Sequence, residues 1–182
     1  MLRIYIGMSG SGKDTFLKRD IKNGYKPIIS YTTRPKRDGE VDGVDYNYVS
    51  FEVFKNLYDS GKIIEYRSYN TTVEGISDVW YYGTPGLDSI ATENYVAILD
   101  INGANSFIDK YGPEYIEIIY LYVDNDIRKE RAKKRGSFDE TEWNRRLKSD
   151  LIVFSENNLC ELAANLGKVI TLINNNISIP IL

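Results

Sequence analysis

A glycine-rich segment, GMSGSGKDT at residues 7–15, separates a short β-prone run, LRIYI, from a helix-like stretch, DTFLKRDIK. Its Gly7, Gly12 and Lys13 match the GxxxxGK pattern of loops that bind nucleotide phosphates between a strand and a helix. Phosphate oxygens reach backbone N–H groups only where side chains are small, and the helix N-terminus that follows favours negative charge. The residues predicted to bind nucleotide phosphates are Gly7, Ser9, Gly10, Ser11, Gly12, Lys13, Asp14 and Thr15.

Asp14 stands directly after the loop lysine, where such a loop commonly carries a Ser or Thr hydroxyl that ligates Mg²⁺. A carboxylate is also a hard oxygen ligand, so Asp14 is predicted to hold Mg²⁺ directly or through water. Its charge repels the phosphates unless the metal lies between them. The alternative is that Asp14 only caps the helix while Thr15 supplies the hydroxyl, and the sequence leaves both open.

Apolar, strand-like runs alternate with helix-like segments along the rest of the chain. The strand-like runs recur at 26–31, 95–101, 115–123 and 168–173, and the clearest helical patterns lie at 125–136 and about 140–165. This alternation predicts an α/β fold in which helices flank a parallel five-stranded sheet. Residues 32–84 break the rhythm with strand-like pieces around one short helix, which predicts an inserted mixed α/β lobe.

The composition excludes several kinds of chemistry. Because the chain has no histidine, it cannot use Ser-His-Asp or Cys-His catalysis, and its single cysteine, Cys160, cannot form an internal disulfide. One cysteine fits a reducing compartment, so we expect a cytoplasmic protein. The net charge of −3 gives no global reason to bind nucleic acid, and the strongest apolar run, IEIIYLYV, is too short to span a membrane. We expect small-molecule substrates and a monomer or homodimer.

A second candidate phosphate site lies in the segment SYTTRPKRDGEVDGVDYNYVS at 30–50. Arg34 and Arg37 stand three residues apart beside a proline, and Tyr46 follows. Two planar guanidinium groups and a phenol suit a terminal phosphate monoester, which presents several oxygens. The spacing alone would favour a solvated turn with surface arginines.

The stretch from Ser30 to Tyr46 resembles the GMP-binding signature of guanylate kinases, S-x-T-T-R-x-x-R-x-G-E-x-x-G-x-D-Y, at every defined position. Further similar motifs follow in family order: IIEY, WYYGT, AILDI, RAKKRG and NRRL. The resemblance covers nearly the whole chain and implies one P-loop NTPase-type domain over residues 1–182. Its implied parts are a core of 1–31, 85–134 and 148–182, a GMP-binding lobe of 32–84, and a short lid of 135–147.

The same resemblance implies the roles of individual residues. GMP would be held by Ser30, Arg34, Arg37, Tyr46, Glu65, Tyr82, Thr84 and Asp100. ATP would be held by the loop residues together with Arg131 and Asn174. The residues implied to be catalytic are Lys13, Arg37, Arg135 and Arg146, with Mg²⁺ as cofactor and Asp14 as its ligand. A helix that reads RKERAKKR is, taken alone, more often a solvated, salt-bridged face.

The reading of guanine also follows from chemistry. The Watson–Crick edge of guanine offers two donors, N1–H and the 2-amino group, that one carboxylate such as Glu65 can accept, whereas adenine lacks that pair. The O6 acceptor needs a donor, which Ser30 or Thr84 can supply. A site built for these bonds penalises the wrong base by leaving buried polar groups unpaired.

The chain departs from the family pattern at Asp14, in an extra stretch of about eight residues around TTVEGISD by comparison with the family's usual short hairpin, and after LDI, where Asn102, Gly103 and Ala104 follow at once. Two alternatives therefore accompany the leading prediction of an ATP-dependent guanylate kinase. One is a kinase of the same fold that phosphorylates another nucleotide or a ribose bisphosphate. The other is a non-catalytic binding module like the guanylate-kinase-like domains of scaffold proteins.

Overall fold

The computed structural model describes residues 1–73, 76–134, 138–167 and 170–176, with the backbone alone described at 71–73 and at 76. The chain divides into two compact units. The core unit comprises Met1–Pro27 and Ile90–Leu182, and the inserted unit comprises Ile28–Ser89. No helix among the described residues has the length and apolar character needed to cross a bilayer.

A five-stranded parallel sheet forms the centre of the core unit, as predicted. Its strands are β1 (Leu2–Ile6), β2 (Lys26–Pro27), β7 (Tyr95–Ile98), β8 (Ile116–Tyr122) and β9 (Thr171–Asn174), in the spatial order β2-β7-β1-β8-β9. The side chains of β1 are almost entirely buried because this strand lies in the middle of the sheet. A central parallel strand is covered on both faces, which explains why four of its five residues, all but Arg3, are buried.

The described residues of the core unit form five α-helices: α1 (Lys13–Lys22), α3 (Ile101–Tyr111), α4 (Asn125–Lys133), α5 (Glu140–Val153) and α6 (Glu156–Leu166). Three of them begin at a polar side chain that accepts a hydrogen bond from the first turn. Asp100 caps α3, Asp139 caps α5 and Ser155 caps α6. A short 3₁₀ turn at Pro113–Tyr115 leads into β8.

The inserted unit contains a four-stranded sheet and one helix, as predicted for a mixed α/β lobe. The strands are β3 (Tyr31–Thr32), β4 (Asn47–Tyr48), β5 (Ile63–Val73) and β6 (Ile76–Pro85), in the order β4-β3-β6-β5, and the helix is α2 (Phe51–Asp59). The extra stretch around TTVEGISD lengthens the antiparallel β5–β6 hairpin, whose pairing runs from Ile63 with Pro85 to Val73 with Ile76. Residues 74–75 lie outside the described residues.

The single strand predicted at 26–31 is wrong. Only Lys26 and Pro27 pair with β7 in the core sheet, whereas Tyr31 pairs with Gly83 in the sheet of the inserted unit. Pro27 has no N–H to donate, so it is tolerated at the edge strand of the core sheet but does not favour a longer ladder. The helical pattern at 140–165 also divides in two, because α5 ends at Val153 and α6 begins after its cap, Ser155.

Candidate nucleotide-binding sites

The predicted phosphate loop links β1 to α1 in the core unit. Gly10 and Gly12 have positive φ angles of 82° and 92°, which side-chain-bearing residues rarely adopt. A Cβ at Gly12 would lie 2.7 Å from the Nδ2 of Asn175, and one at Gly10 would lie 3.1 Å from the carbonyl oxygen of Arg128. The loop therefore needs glycine at both positions, for its backbone angles and for its close contact with surrounding residues.

The carbonyl oxygens of the loop are held by side chains from other elements. Arg128 Nη1 donates to the carbonyl of Ser9 at 3.0 Å, and Asn175 Nδ2 donates to that of Ser11 at 2.9 Å. Arg131 contacts the carbonyl of Gly10 at 3.5 Å and that of Asn175 at 2.7 Å. Because the C=O and the following N–H point in opposite directions across a planar peptide, each held carbonyl sets the direction of the next amide.

Lys13, the loop lysine, donates from its ammonium group to the carbonyls of Gly7 at 2.7 Å and Met8 at 3.1 Å. Asp14, next in the chain, is exposed in the first turn of α1. It does not cap that helix, since the N-cap residue is Gly12 and no side chain caps it. The alternative in which Asp14 serves only as a helix cap is therefore wrong.

The residues of the loop suit a magnesium ion held mainly by phosphates. The described residues contain no group of three or more His, Cys, Asp or Glu side chains that would form a protein cage for a cation. Mg²⁺ in kinases commonly uses one or two carboxylates together with phosphate oxygens and waters, so such a cage is not required. The exposed Asp14 carboxylate, next to Lys13, supplies the kind of ligand that this arrangement needs.

The three residues predicted to read guanine lie together in the inserted unit. Glu65 on β5 and Thr84 on β6 are cross-strand neighbours, and the Thr84 hydroxyl donates to Glu65 Oε1 at 2.5 Å. The Ser30 hydroxyl lies 3.2 Å from that of Thr84. Glu65 and Thr84 are both buried, and Arg67 Nε approaches Glu65 Oε2 at 3.8 Å. A nearly buried carboxylate with two neighbouring hydroxyls is an arrangement that can accept and donate hydrogen bonds to a purine edge.

Arg34, predicted to hold the GMP phosphate, is 3% exposed and is paired with Glu40. Its Nη1 donates to Pro35 O at 2.7 Å and to Glu40 Oε2 at 3.0 Å, and its Nη2 donates to Glu40 Oε1 at 2.8 Å. Burial alone would lower the pKa of Arg34, but its hydrogen bonds to Glu40 and the negative charge of that carboxylate raise it above its usual value. The guanidinium is a fixed, buried positive charge.

Two predicted tyrosines surround this charge. The Arg34 guanidinium lies 5.6 Å from the ring centre of Tyr46, and that ring lies 5.7 Å from the ring of Tyr82. Arg37 differs from Arg34, because its side chain is exposed and only its backbone N–H binds Glu40, at 2.8 Å. Arg34 and the two tyrosines thus form one cluster, with the exposed guanidinium of Arg37 three residues along the chain.

Glu40 is a functional candidate that the sequence reasoning missed. Its carboxylate accepts four hydrogen bonds, two from Arg34 and one each from the Arg37 N–H and the Tyr48 hydroxyl. The bond from Arg34 is the main reason that the pKa of Glu40 falls to about 2. Glu40 stands in the quoted signature, so the signal was present, but a motif letter does not show which residue it contacts.

The remaining predicted residues lie in the core unit. Asp100 accepts a hydrogen bond from the Gly103 N–H at 2.9 Å as the cap of α3. Asn174 is exposed at the end of β9 and accepts from the Asn176 N–H, whereas its neighbour Asn175 contacts the phosphate loop. Arg146 on α5 donates to Glu142, whose pKa falls to about 2 chiefly through its hydrogen bonds with Arg145. Arg135 lies outside the described residues.

The comparisons with known proteins match this chain to guanylate kinases. The guanylate kinase family model matches residues 2–157. The chain is 35% identical over 147 residues to the guanylate kinase of Neisseria gonorrhoeae, a match that covers 76% of this chain and 66% of the relative. It is also 35% identical over 155 residues to the guanylate kinase of Caldanaerobacter subterraneus subsp. tengcongensis, covering 82% of this chain and 71% of the relative.

Among solved structures, the guanylate kinase of Anaplasma phagocytophilum shares the fold. The TM-score is 0.60 at 22% sequence identity, and the superposition covers 96% of this chain and 76% of that one. At this identity the likeness supports the fold alone, and it agrees with the parallel sheet and phosphate loop described above. Because the family model matches most of the sequence, the chain belongs to the guanylate kinase family.

Proposed function

We propose that the protein transfers the γ-phosphoryl group of ATP to GMP, and also to dGMP, to form the corresponding diphosphate. The observation that carries this proposal is the cluster of Ser30, Glu65 and Thr84, in which the Thr84 hydroxyl lies within hydrogen-bonding distance of both the Ser30 hydroxyl and the buried Glu65 carboxylate. Guanine presents two adjacent donors and one acceptor, which match a carboxylate beside hydroxyl donors. Family membership supports the same activity.

In this proposal the loop amides and Lys13 bind the phosphates of ATP. The held carbonyls of Ser9 and Ser11 turn the amides of Gly10 and Gly12 away from the side chains that hold them. A polyanion that enters the loop offers the Lys13 ammonium stronger acceptors than the two carbonyls it now contacts. Further ATP contacts are assigned to Arg131 and Asn174.

On the acceptor side, Glu65 accepts from guanine N1–H and the 2-amino group, and Ser30 or Thr84 donates to O6. The buried charge of Arg34 attracts the GMP phosphate, while Arg37 offers it an exposed guanidinium. Phenol groups of Tyr46 and Tyr82 add hydrogen-bond donors beside Arg34. Asp100 is assigned to the nucleoside part of GMP.

The transfer needs no general base, because the attacking phosphate oxygen of GMP is already anionic. The bond from the γ-phosphorus to its bridging oxygen breaks as the new P–O bond forms, and ADP leaves with that oxygen. Mg²⁺, held by Asp14 and the phosphates, supplies charge neutralisation when it is bound. Lys13, Arg37, Arg135 and Arg146 stabilise the charge of the equatorial and leaving oxygens.

We further assign the protein to the cytoplasm, as a monomer or homodimer with small-molecule substrates. The single cysteine and the net charge of −3 support this assignment, because neither indicates a disulfide-bonded or polyanion-binding protein.

An ADP-release assay with ATP and Mg²⁺ tests the proposed reaction. GMP, dGMP, AMP, CMP, UMP and ribose bisphosphate serve as parallel acceptors. Turnover with GMP and dGMP, and only background with the others, is the expected result. Turnover with a different acceptor alone would refute the base assignment, and no turnover with any acceptor, in a folded protein, would refute the enzyme activity.

A further inference from the structure

Both backbone polar groups of Ser9 in the phosphate loop, which belong to the two peptide groups on either side of its Cα, are bound by side chains that no motif assigns. Its N–H donates to Asp150 Oδ2 at 2.6 Å, and its C=O accepts from Arg128 Nη1 at 3.0 Å. Asp150 lies on α5 and Arg128 lies on α4, so two helices hold one loop residue. The separations in sequence are 141 and 119 residues, which explains why no local pattern reveals the contact.

Arg128 is itself held firmly. Its side chain is 3% exposed, donates to Val123 O and Asn125 Oδ1 at 3.2 Å each, and lies 5.7 Å from the ring of Trp143. Asp150, 17% exposed, approaches Arg128 Nη1 at 3.8 Å. A charge in such a place is stable only with a partner and with its hydrogen bonds made.

A well-packed apolar pair would fill the same space without the cost of desolvating two charges. What an apolar pair cannot do is bind a peptide N–H and a peptide C=O at once. The Ser9 carbonyl, fixed on Arg128, makes the Gly10 N–H point in the opposite direction within the same peptide plane. Gly10 also packs closely on the Arg128 backbone, so its orientation depends on this arginine twice.

We propose that Arg128 and Asp150 are positioning residues that fix the two peptide groups flanking Ser9 in the orientation in which the phosphate loop binds ATP. The pair also ties α5, the helix that carries Arg146, to the loop, so nucleotide binding and the placement of α5 depend on the same contact. This proposal rests on the proposed function only in taking the loop as an ATP site, since it requires nothing of the acceptor.

Four variants test the pair. Asp150→Asn keeps an acceptor but removes the charge, and Asp150→Ala removes both. The double variant Arg128→Leu/Asp150→Ala replaces the pair by apolar groups. Asp126→Asn is the matched control, because Asp126 is exposed on the same helix as Arg128 and its substitution changes the net charge equally. ATP–Mg²⁺ affinity and GMP affinity are measured separately by calorimetry, and thermal stability by circular dichroism.

Asp150→Ala is expected to weaken ATP binding about tenfold or more, the scale of one lost charge-assisted hydrogen bond, with GMP affinity unchanged. The double variant should regain thermal stability, because it leaves no buried charge unpaired, yet it should still bind ATP weakly, because the Ser9 N–H and C=O have both lost their partners. Recovery of ATP affinity together with stability in the double variant would overturn the proposal, since the pair would then be merely structural.

Hydrogen exchange at the Ser9 amide gives a readout that needs no nucleotide. In the free protein the bond to Asp150 should protect this proton, and Asp150→Ala should raise its exchange rate about tenfold or more while Asp126→Asn does not. Unchanged exchange would overturn the proposal whatever the protein does with nucleotides. If the wild-type protein binds ATP but does not phosphorylate GMP, the proposed function is refuted. The ATP affinities and the Ser9 exchange rates of the variants still test the role of Arg128 and Asp150 in that case.

Discussion

Glu40 joins four donors in the inserted unit, and its replacement by Gln isolates what that carboxylate contributes. Oε2 accepts from Arg34 Nη1, the Arg37 N–H and the Tyr48 hydroxyl, and Oε1 accepts from Arg34 Nη2. A Gln side chain has one acceptor oxygen. If that oxygen takes the crowded Oε2 position, its NH₂ group faces Arg34 Nη2, so a donor meets a donor and the buried guanidinium loses its counter-charge.

The magnitude follows from the burial of the two partners. Breaking a fully buried ion pair by removing one partner costs about 3–5 kcal/mol, because a charge remains uncompensated. Arg34 is 3% exposed but Glu40 is 20% exposed, so water screens part of that loss. We expect Glu40→Gln to lower the free energy of unfolding by about 2–3 kcal/mol, and Tm by roughly 2–4 °C for each kcal/mol.

Chemical denaturation and calorimetric titration with GMP measure the two expected effects. The donor–donor contact in Glu40→Gln would displace the Arg34 guanidinium. We therefore also expect GMP binding to weaken by about tenfold, the scale of one impaired charged hydrogen bond. Asp38→Asn is the control, because Asp38 is an exposed acidic residue of the same loop. A Glu40→Gln protein within about 0.5 kcal/mol of wild type, the usual scatter of surface substitutions, and with unchanged GMP affinity would refute this account of the site.

Three further predictions test other parts of the two sites. The contribution of Glu40 to stability should persist above pH 4.5 and be lost as the pH falls towards 2, because its pKa is lowered from 4.5 to about 2 in the folded protein; denaturation of wild type and Glu40→Gln at pH 7 and pH 2.5 checks this, and a stability difference that is the same at both pH values would contradict it. Glu65→Gln should lower kcat/KM for GMP about 100-fold, since it replaces an acceptor of two guanine donors by a group with its own donors. Steady-state kinetics with GMP and AMP measure this, and an equal change in kcat/KM for both nucleotides would contradict it. Asp14→Ser should keep kcat within about fivefold while Asp14→Ala raises the Mg²⁺ concentration needed for half-maximal rate, if the hydroxyl and carboxylate serve one role; a large loss in the Ser variant, with the fold unchanged, would show that the carboxylate has a separate task.

Much of the fold could be predicted from the sequence, because the patterns that indicate it lie within short segments. An apolar run followed by glycines and a helix-like segment predicted the strand, loop and helix at residues 2–22, and alternating patterns predicted the five-stranded parallel sheet. The exception is instructive. Residues 26–31 were predicted to form one strand, yet Lys26 and Pro27 pair in one sheet and Tyr31 pairs in another, because strand propensity does not tell which sheet a strand will join.

For the candidate sites too, the sequence indicated some of the residues and missed others. The GMP site predicted from the signature at Ser30 to Tyr46 stays a prediction, and in the structure the Thr84 hydroxyl contacts both the Ser30 hydroxyl and the Glu65 carboxylate. The roles of Asn174, Asp100, Arg146 and the lid at 135–147 stay predictions. The side-chain amide of Asn175, the neighbour of the predicted Asn174, donates to the loop carbonyl of Ser11. The sequence alone does not tell which of two adjacent asparagines at the end of a strand contacts the loop.

Short-range patterns in the chain were enough to predict a phosphate loop, a carboxylate for reading guanine and an α/β sheet, because glycine angles, small side chains and strand or helix patterns act within a few residues. Only the tertiary structure shows which distant groups form hydrogen bonds: Arg128 and Asp150 with Ser9, Asn175 with Ser11, and Tyr48 with Glu40. These contacts join elements that are far apart in sequence or separated by a turn, and their geometry depends on the packing of whole helices and strands. A buried charge shows its partner only once the surrounding chain has excluded water from it.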